Sequence, residues 1–265
     1  MMNADQKYFF DLTGYLVLDD VLSREHCQQL IDTVKRIADT PREQLPKGVG
    51  HSEPSPGEIS VGDLTSADPL FANLIDLPPV IDVLQEIIDP MLRLEIAYAR
   101  IRRRGYDGLE MHGGGDGVDP VFSYRYFNGK IYSAHTVVAF NLTDVSEEEG
   151  GFVCIPGSHK ANFPLPPNRR QFENGEIDRS LLRSVPCKAG SVVIFTEALS
   201  HGAAPWQSDR ERVNLFYKYN HAAVKWRNFW PSQEALAAMT PNQRTFYAEV
   251  GSDPRQERIP YRGRG

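Results

Sequence analysis

The sequence predicts a mainly β domain with flanking helices, a jelly roll or barrel, and three observations carry that prediction. Up to about residue 91 the apolar positions repeat at helical spacing. From Leu92 they alternate, and beyond it Gly and Pro cut the chain into short apolar runs. Helices followed by many short strands suit a helical flank packed on a β core. At 265 residues the chain fits one such domain. It divides into a helical flank over about 1–91, a jelly-roll core over about 92–222 and a C-terminal helical tail over 223–265.

Residues 8–22 read as an aromatic lead-in, a turn at Gly14 and a short apolar strand. Ser23 is placed to cap an amphipathic helix running to about residue 38, with Leu30, Ile31, Val34, Ile37 and Ala38 on one face. Segment 40–65 carries Pro41, Pro46, Pro54 and Pro56 with Gly48, Gly50 and Gly57 among them, and reads as a long loop. Helical stretches follow at 69–77 and 79–89, interrupted by Pro78 and Pro79. Then Leu92, Leu94, Ile96 and Tyr98 alternate with Arg93, Glu95, Ala97 and Ala99, the period of a half-buried strand. The clearest later strands are 131–142, 151–155, 191–196 and 213–219, and 232–250 reads as one or two helices outside the barrel. The 40–65 and 113–121 loops are the expected specificity elements.

Net charge is −6 and pI about 5.7, which argues against a nucleic-acid partner. The basic run Arg102-Arg103-Arg104 reads as a solvated strand end. Cys27, Cys154 and Cys187 are too few and scattered for a disulfide framework, and no C-x-x-C pair offers a thiolate zinc site. No run approaches eighteen apolar residues, so no membrane span is expected, and no secretory pattern opens the chain. A cytoplasmic location is the expectation.

Two of the seven histidines stand out. His112 and His201 each sit at a strand edge beside small residues, in Met111-His112-Gly113-Gly114-Gly115 and Ser200-His201-Gly202-Ala203. Glycine allows close backbone approach and leaves room around an imidazole, as a metal with open positions needs. His26 and His51 fall in the first helix and the Pro-rich loop, where structural or solvent roles suffice. Arg212 lies eleven residues after His201 at the start of an apolar strand. An inward guanidinium there is costly unless it meets an anion, and a carboxylate held bidentately would satisfy it. Arg210 shares its parity but belongs to the polar run 208–211, so it is expected to be more exposed.

Residues 9–23 (FFDLTGYLVLDDVLS), 141–163 (NLTDVSEEEGGFVCIPGSHKANF) and 188–219 (KAGSVVIFTEALSHGAAPWQSDRERVNLFYKY) together resemble the phytanoyl-CoA dioxygenase family, and the resemblance covers most of the chain. It implies a double-stranded β-helix, the cupin-like jelly roll, and an oxygenase dependent on non-haem Fe(II), 2-oxoglutarate and O2. It also implies that His112 and His201 hold iron and that Arg212 grips 2-oxoglutarate. A small-molecule C–H bond would then be hydroxylated with release of succinate and CO2. The family serves varied substrates, so the resemblance leaves the substrate open, and the oligomeric state with it.

One position departs from the family. Its proximal motif is His-x-Asp, and Gly114 stands where the Asp belongs. Such sites take two histidines and one carboxylate, so three readings stay open. Another acid supplies the ligand: Glu197, four residues before His201 at a strand end, or Asp116 on the Gly-rich loop. Strand ends hold a side chain better, which favours Glu197. Alternatively a halide fills the position, as in related halogenases with Gly or Ala there. In the third reading the metal is lost and the barrel is a non-redox small-molecule binder. Among supporting residues, His135 is either a core histidine or a substrate contact, and Tyr124 and Trp206 are candidate aromatic walls. Thr136 and Asn214 are candidate 2-oxoglutarate contacts; Asn214 replaces the Ser that often follows the Arg by two, and its amide still donates a hydrogen bond. His159, in the Pro156-Gly157-Ser158-His159 turn, reads as architectural.

Overall fold

The computed structural model describes residues 1–53, 57–113, 120–172, 177–227 and 229–250. The chain enters through helix α1 (Ala4–Thr13), strand β1 (Tyr15–Leu18) and helix α2 (Arg24–Asp39). Strands β2 (Gly50–His51) and β3 (Glu58–Gly62) follow, then helices α3 (Leu64–Ala67), α4 (Pro69–Ala72) and α5 (Pro78–Ile87). Next come β4 (Leu92–Arg102), β5 (Leu109–His112), β6 (Tyr124–Phe127), β7 (Lys130–Ser133), β8 (Thr136–Asn141), β9 (Gly151–Cys154) and β10 (Arg183–Ser184). Strands β11 (Val192–Thr196), β12 (His201–Ala204) and β13 (Arg212–His221) complete the core, and helices α6 (Gln233–Ala238) and α7 (Pro241–Thr245) follow.

The strands form a large sheet in the order β1-β11-β8-β13-β4-β3-β2 and a small one in the order β10-β9-β12-β5, with β6 and β7 a separate hairpin. Every residue of β8 and β11 is buried, as expected where a central sheet is covered on both faces. Strand parity then sorts the core into two clusters. One face sends Val138, Phe140, Ile194, Leu215 and Tyr217 into a core shared with α2 and α5. The other sends Val137, Ala139, Val193 and Phe195 against Cys154 and Leu199 of the small sheet and its turn. The space between the sheets is therefore lined by every second residue of the large sheet.

Local chemistry explains the helices. The Ser23 hydroxyl accepts from His26 N–H at the start of α2, whose Cys27, Leu30, Ile31, Val34 and Ile37 are buried. Helix α1 ends on Gly14 at φ 84°, the left-handed C-cap glycine tolerates. Several expectations need correction. The aromatic lead-in is helical, because Asn3 and Gln6 form a reciprocal cap. Pro78 and Pro79 open α5 instead of interrupting a helix, since the first turn has no use for their missing N–H groups. The 40–65 loop contains β2 and β3. Ile59 and Val61 are buried between polar neighbours, a period-two pattern masked by the flanking prolines. The flank over 1–91 is thus only partly helical: β1 pairs with β11 and β3 with β4. Segment 131–142 breaks into β7 and β8 around Ala134-His135. Helices α6 and α7 match the expected tail over 232–250, with Phe246 and Tyr247 anchored in the core. No helix among the described residues is long and apolar enough to cross a membrane.

Candidate active site

His112 ends β5 and His201 begins β12, and the antiparallel register pairs them directly. Their rings lie 4.2 Å apart, centroid to centroid. Each Nδ1–H donates to a backbone carbonyl two residues earlier, His112 to Glu110 at 2.9 Å and His201 to Leu199 at 2.8 Å. Both tautomers are thereby fixed with Nε2 as the free lone pair, the arrangement metal-bound histidines usually show. Gly113 turns the chain at φ 69°, and a Cβ there would stand 2.4 Å from the Glu197 carbonyl oxygen and 2.7 Å from that of Leu199. Only glycine lets the 197–199 turn dock this closely.

That turn delivers a carboxylate. Glu197 Oε2 lies 3.9 Å from His201 Nε2, while Oε1 accepts from Lys218 Nζ. One ligand atom from each of His112, Glu197 and His201 falls within 4.8 Å of the others. Burial pushes the Glu197 carboxyl up, but the Lys218 ammonium and then the histidines outweigh it and hold it down at about 2. Burial lowers His201 to about 4. At neutral pH the site therefore offers an ionised carboxylate and a neutral imidazole on His201, the states a metal ligates. These donors fit a divalent iron of the two-histidine, one-carboxylate type. Asp116 and Gly114 lie outside the described residues.

The cavity running inward from these ligands is lined by Val137, Ala139, Asn141, Phe195, Phe216 and Arg212, among others. Arg212 is 3% exposed, and no hydrogen bond or ion pair reaches it among the described residues; its Nε is an orphan. Burial, then the neighbouring Arg102, lower its pKa to about 9. A buried guanidinium left without a partner is costly unless an anion completes it. Asn214 donates Nδ2–H to Asn141 Oδ1 at 2.7 Å, so Asn141 meets the cavity and Asn214 stands behind it.

Other candidates lie elsewhere. Tyr124 donates to Asp11 at 2.6 Å and packs edge-on against His159, tying α1 to the β6 hairpin. Trp206 is buried with Nε1–H on the Arg210 carbonyl. The Thr136 hydroxyl donates to the Ala134 carbonyl and pairs with the Ser133 hydroxyl at 2.9 Å, so its hydrogen bonds join the end of β7 to the start of β8. His135 packs edge-on to Phe122 and Trp226, with burial lowering it to about 4, and does not line the cavity. His159 Nε2–H donates to the Asp11 carbonyl. Arg210 is surface-exposed on Glu149. The run 102–104 was only partly a solvated end: Arg103 and Arg104 face solvent, but Arg102, on the inward parity, is buried in the cavity. The same parity from Arg212 leads to Phe216 and Lys218, and from Arg102 to Arg100 and Tyr98. Those inward residues went unnoticed although the period-two signal contained them.

The family model for phytanoyl-CoA dioxygenase (PhyH) matches residues 115–214. Ectoine dioxygenase of Bordetella parapertussis is 22% identical over 238 residues, covering 83% of this chain and 75% of its own. HygX from Streptomyces hygroscopicus, with nickel, 2-oxoglutarate and hygromycin B bound, superposes with a TM-score of 0.70 at 26% identity, covering 87% and 89% of the two chains. The carbocyclase SnoK, α-ketoglutarate dependent, has the same fold at TM-score 0.61 and 19% identity, covering 91% and 92%. With the site's donor set, these matches define a non-haem iron, 2-oxoglutarate-dependent oxygenase built on a jelly roll. Within that class the chain resembles the phytanoyl-CoA dioxygenase family, whose model matches it over residues 115–214.

Proposed function

We propose that this oxygenase hydroxylates a C–H bond of a small molecule, with His112, His201 and Glu197 as the iron ligands and Arg212 as the anchor for 2-oxoglutarate. The reading rests on one observation: the three ligand groups and the unpaired Arg212 line a single cavity. Bound iron and 2-oxoglutarate would supply oxidative decarboxylation, giving succinate and CO2, and the oxidant that takes hydrogen from the substrate.

The protein's own part is positioning and exclusion of water. The Glu110 and Leu199 carbonyls aim the two imidazoles, and Lys218 fixes one carboxylate oxygen of Glu197 so that the other faces His201. Arg212 would hold the far carboxylate of 2-oxoglutarate through a bidentate pair. Phe195, Phe152 and Val193 keep the inner cavity apolar, which strengthens that pair. The free, buried thiols of Cys27, Cys154 and Cys187 suit a reducing, cytoplasmic setting.

Halogenation is the competing reading because Gly114 leaves the family's acid position without a carboxylate. Glu197 weighs against it, since it offers a carboxylate beside the two histidines, within 4.8 Å of their ligand atoms. The test is an anaerobic crystal structure with iron and 2-oxoglutarate, joined to turnover in chloride buffer. Glu197 on the metal and an unhalogenated product are expected. A chlorinated product, or iron bound without Glu197, would overturn the assignment.

A further inference from the structure

Between the metal ligands and the cavity mouth lie cations that the proposed chemistry does not use. Strands β4 and β13 run antiparallel, with Tyr98 opposite Phe216, Arg100 opposite Asn214 and Arg102 opposite Arg212. The rings of Tyr98 and Phe216 stack at 5.1 Å with 17° between planes, and both line the cavity while staying partly exposed. The Arg100 guanidinium sits 5.3 Å above the Tyr98 ring, and its side chain is 32% exposed. Glu58, from β3, takes Arg100 on Oε2 at 3.0 Å and Arg102 on Oε1 at 2.9 Å.

The charges do not balance. Arg100, Arg102, Arg212 and Lys218 line the cavity, and among the described residues Glu58 and Glu197 are the acids beside them. A divalent metal and the 2-oxoglutarate dianion would cancel each other. Four cationic side chains against two carboxylates then leave an excess of two positive charges. Arg102 and Lys218 are largely buried, whereas Arg100, which shares Glu58 with Arg102, keeps about a third of its side chain exposed. A partly desolvated guanidinium beside an aromatic face is a strong anion receptor.

We propose that the cavity mouth is a substrate subsite for a small anionic molecule: Arg100 binds its carboxylate, phosphate or sulfonate, and its flat or apolar part lies against the Tyr98–Phe216 pair. The inference rests on the oxygenase reading, because it uses the same cavity. Glu58, bonded to both, ties Arg100 and Arg102 together at the cavity wall. Along β13, Phe216 is two residues from Lys218, which holds Glu197. A molecule seated on the aromatic pair is thereby carried towards the metal ligands.

The experiment uses the full chain loaded with cobalt and 2-oxoglutarate, titrated calorimetrically with a matched set: phenylacetate, phenylacetamide and phenethylamine. Phenylacetate is expected to bind at least tenfold more tightly than the amide, and the amine most weakly. Arg100→Gln should remove that preference, and Arg100→Lys should restore most of it. Equal binding of acid and amide, preference for the amine, no binding by any of the three, or a preference that survives Arg100→Gln would each overturn the proposal. The oxygenase reading fails differently, by absence of 2-oxoglutarate binding before any probe is added.

Discussion

Replacing Arg212 by Met separates what the arginine costs the fold from what it contributes to binding. The guanidinium is buried, has no partner among the described residues, and has its pKa lowered by burial from the ordinary arginine value to about 9. At about 1.4 kcal/mol per pKa unit, the charged form costs the empty fold up to about 4–5 kcal/mol. Relaxation and water entering the cavity reduce this to an expected 1–3 kcal/mol. A base with a lowered folded pKa leaves the native state with fewer bound protons than the unfolded chain between about pH 9 and the ordinary arginine pKa. Stability from this group therefore rises with pH across that window, and the whole penalty stands at pH 7. Arg212→Met should raise the melting temperature of the metal-free protein at pH 7 by roughly 2–10 °C. The same change removes one partner of a buried charge pair, at about 3–5 kcal/mol, and should weaken 2-oxoglutarate binding about a hundredfold or more. Scanning fluorimetry and calorimetry on the cobalt-loaded protein read the two effects. A lower melting temperature would refute the unpaired-charge argument, and unchanged 2-oxoglutarate affinity would refute the anchor.

Three further outcomes follow from the geometry. Lys218→Met should destabilise the metal-free protein by about 3 kcal/mol, because Glu197 loses its cation in a buried site, and added cobalt should recover much of the loss; thermal denaturation with and without metal measures both. Gly113→Ala forces a Cβ against the Glu197 and Leu199 carbonyls in a left-handed conformation, so a loss of about 2 kcal/mol and weaker cobalt binding are expected in denaturant and metal titrations. Asp63 is raised by burial to about 6, so its contribution favours the fold most below pH 4 and is lost as pH rises from 4 to 6. Asp63→Asn keeps an acceptor for the Ser66 N–H and tolerates φ 51°, and should stabilise the protein at pH 7 by about 2 kcal/mol with no gain at pH 3.5.

The parts of the fold legible in the sequence are those with an undisturbed period. Helix α2 shows its cap and its apolar stripe, and β4, β11 and β13 show alternation or unbroken apolar runs. Strand β3 was hidden because its five residues sit among prolines and glycines whose turn signal dominates any short window. His112 and His201 stood out because glycine beside histidine is itself a steric statement, which the close approach of Gly113 to the 197–199 turn explains. Glu197 came into consideration only through the resemblance, which leaves the acid position at Gly114 without a carboxylate, and its place at a strand end favoured it over Asp116. Lys218, Arg100, Arg102 and Asn141 were not legible as cavity residues, because a polar residue on an apolar strand announces its burial only once the register names its neighbours. His135, Tyr124, Trp206 and Thr136 are the opposite case, since none of them lines this cavity. Their chemistry suited a site, but their hydrogen bonds and ring contacts are spent on joining elements.

The displaced carboxylate and the glycine beside His112 are two sides of one arrangement. With β5 ending at His112, the turn carrying Glu197 packs directly on Gly113, and its acid enters from β11 instead of β5. An acid arriving from that side stands next to β13, where Lys218 meets it. Removing the acid therefore leaves more than a missing ligand: it leaves a buried ammonium beside the metal position. Glu197→Ala should bind cobalt far more weakly in acetate buffer, since one ligand is gone and Lys218 repels the dication. Chloride should restore part of that affinity, drawn by the ammonium into the space the carboxylate occupied. In the double variant Glu197→Ala, Lys218→Met the repulsion and the attraction both vanish, so cobalt affinity should no longer depend on chloride. Cobalt titrations of the two variants in chloride and in acetate decide the matter. Affinity that ignores chloride in the single variant, or responds equally in both, would mean that Lys218 does not control the charge at this position.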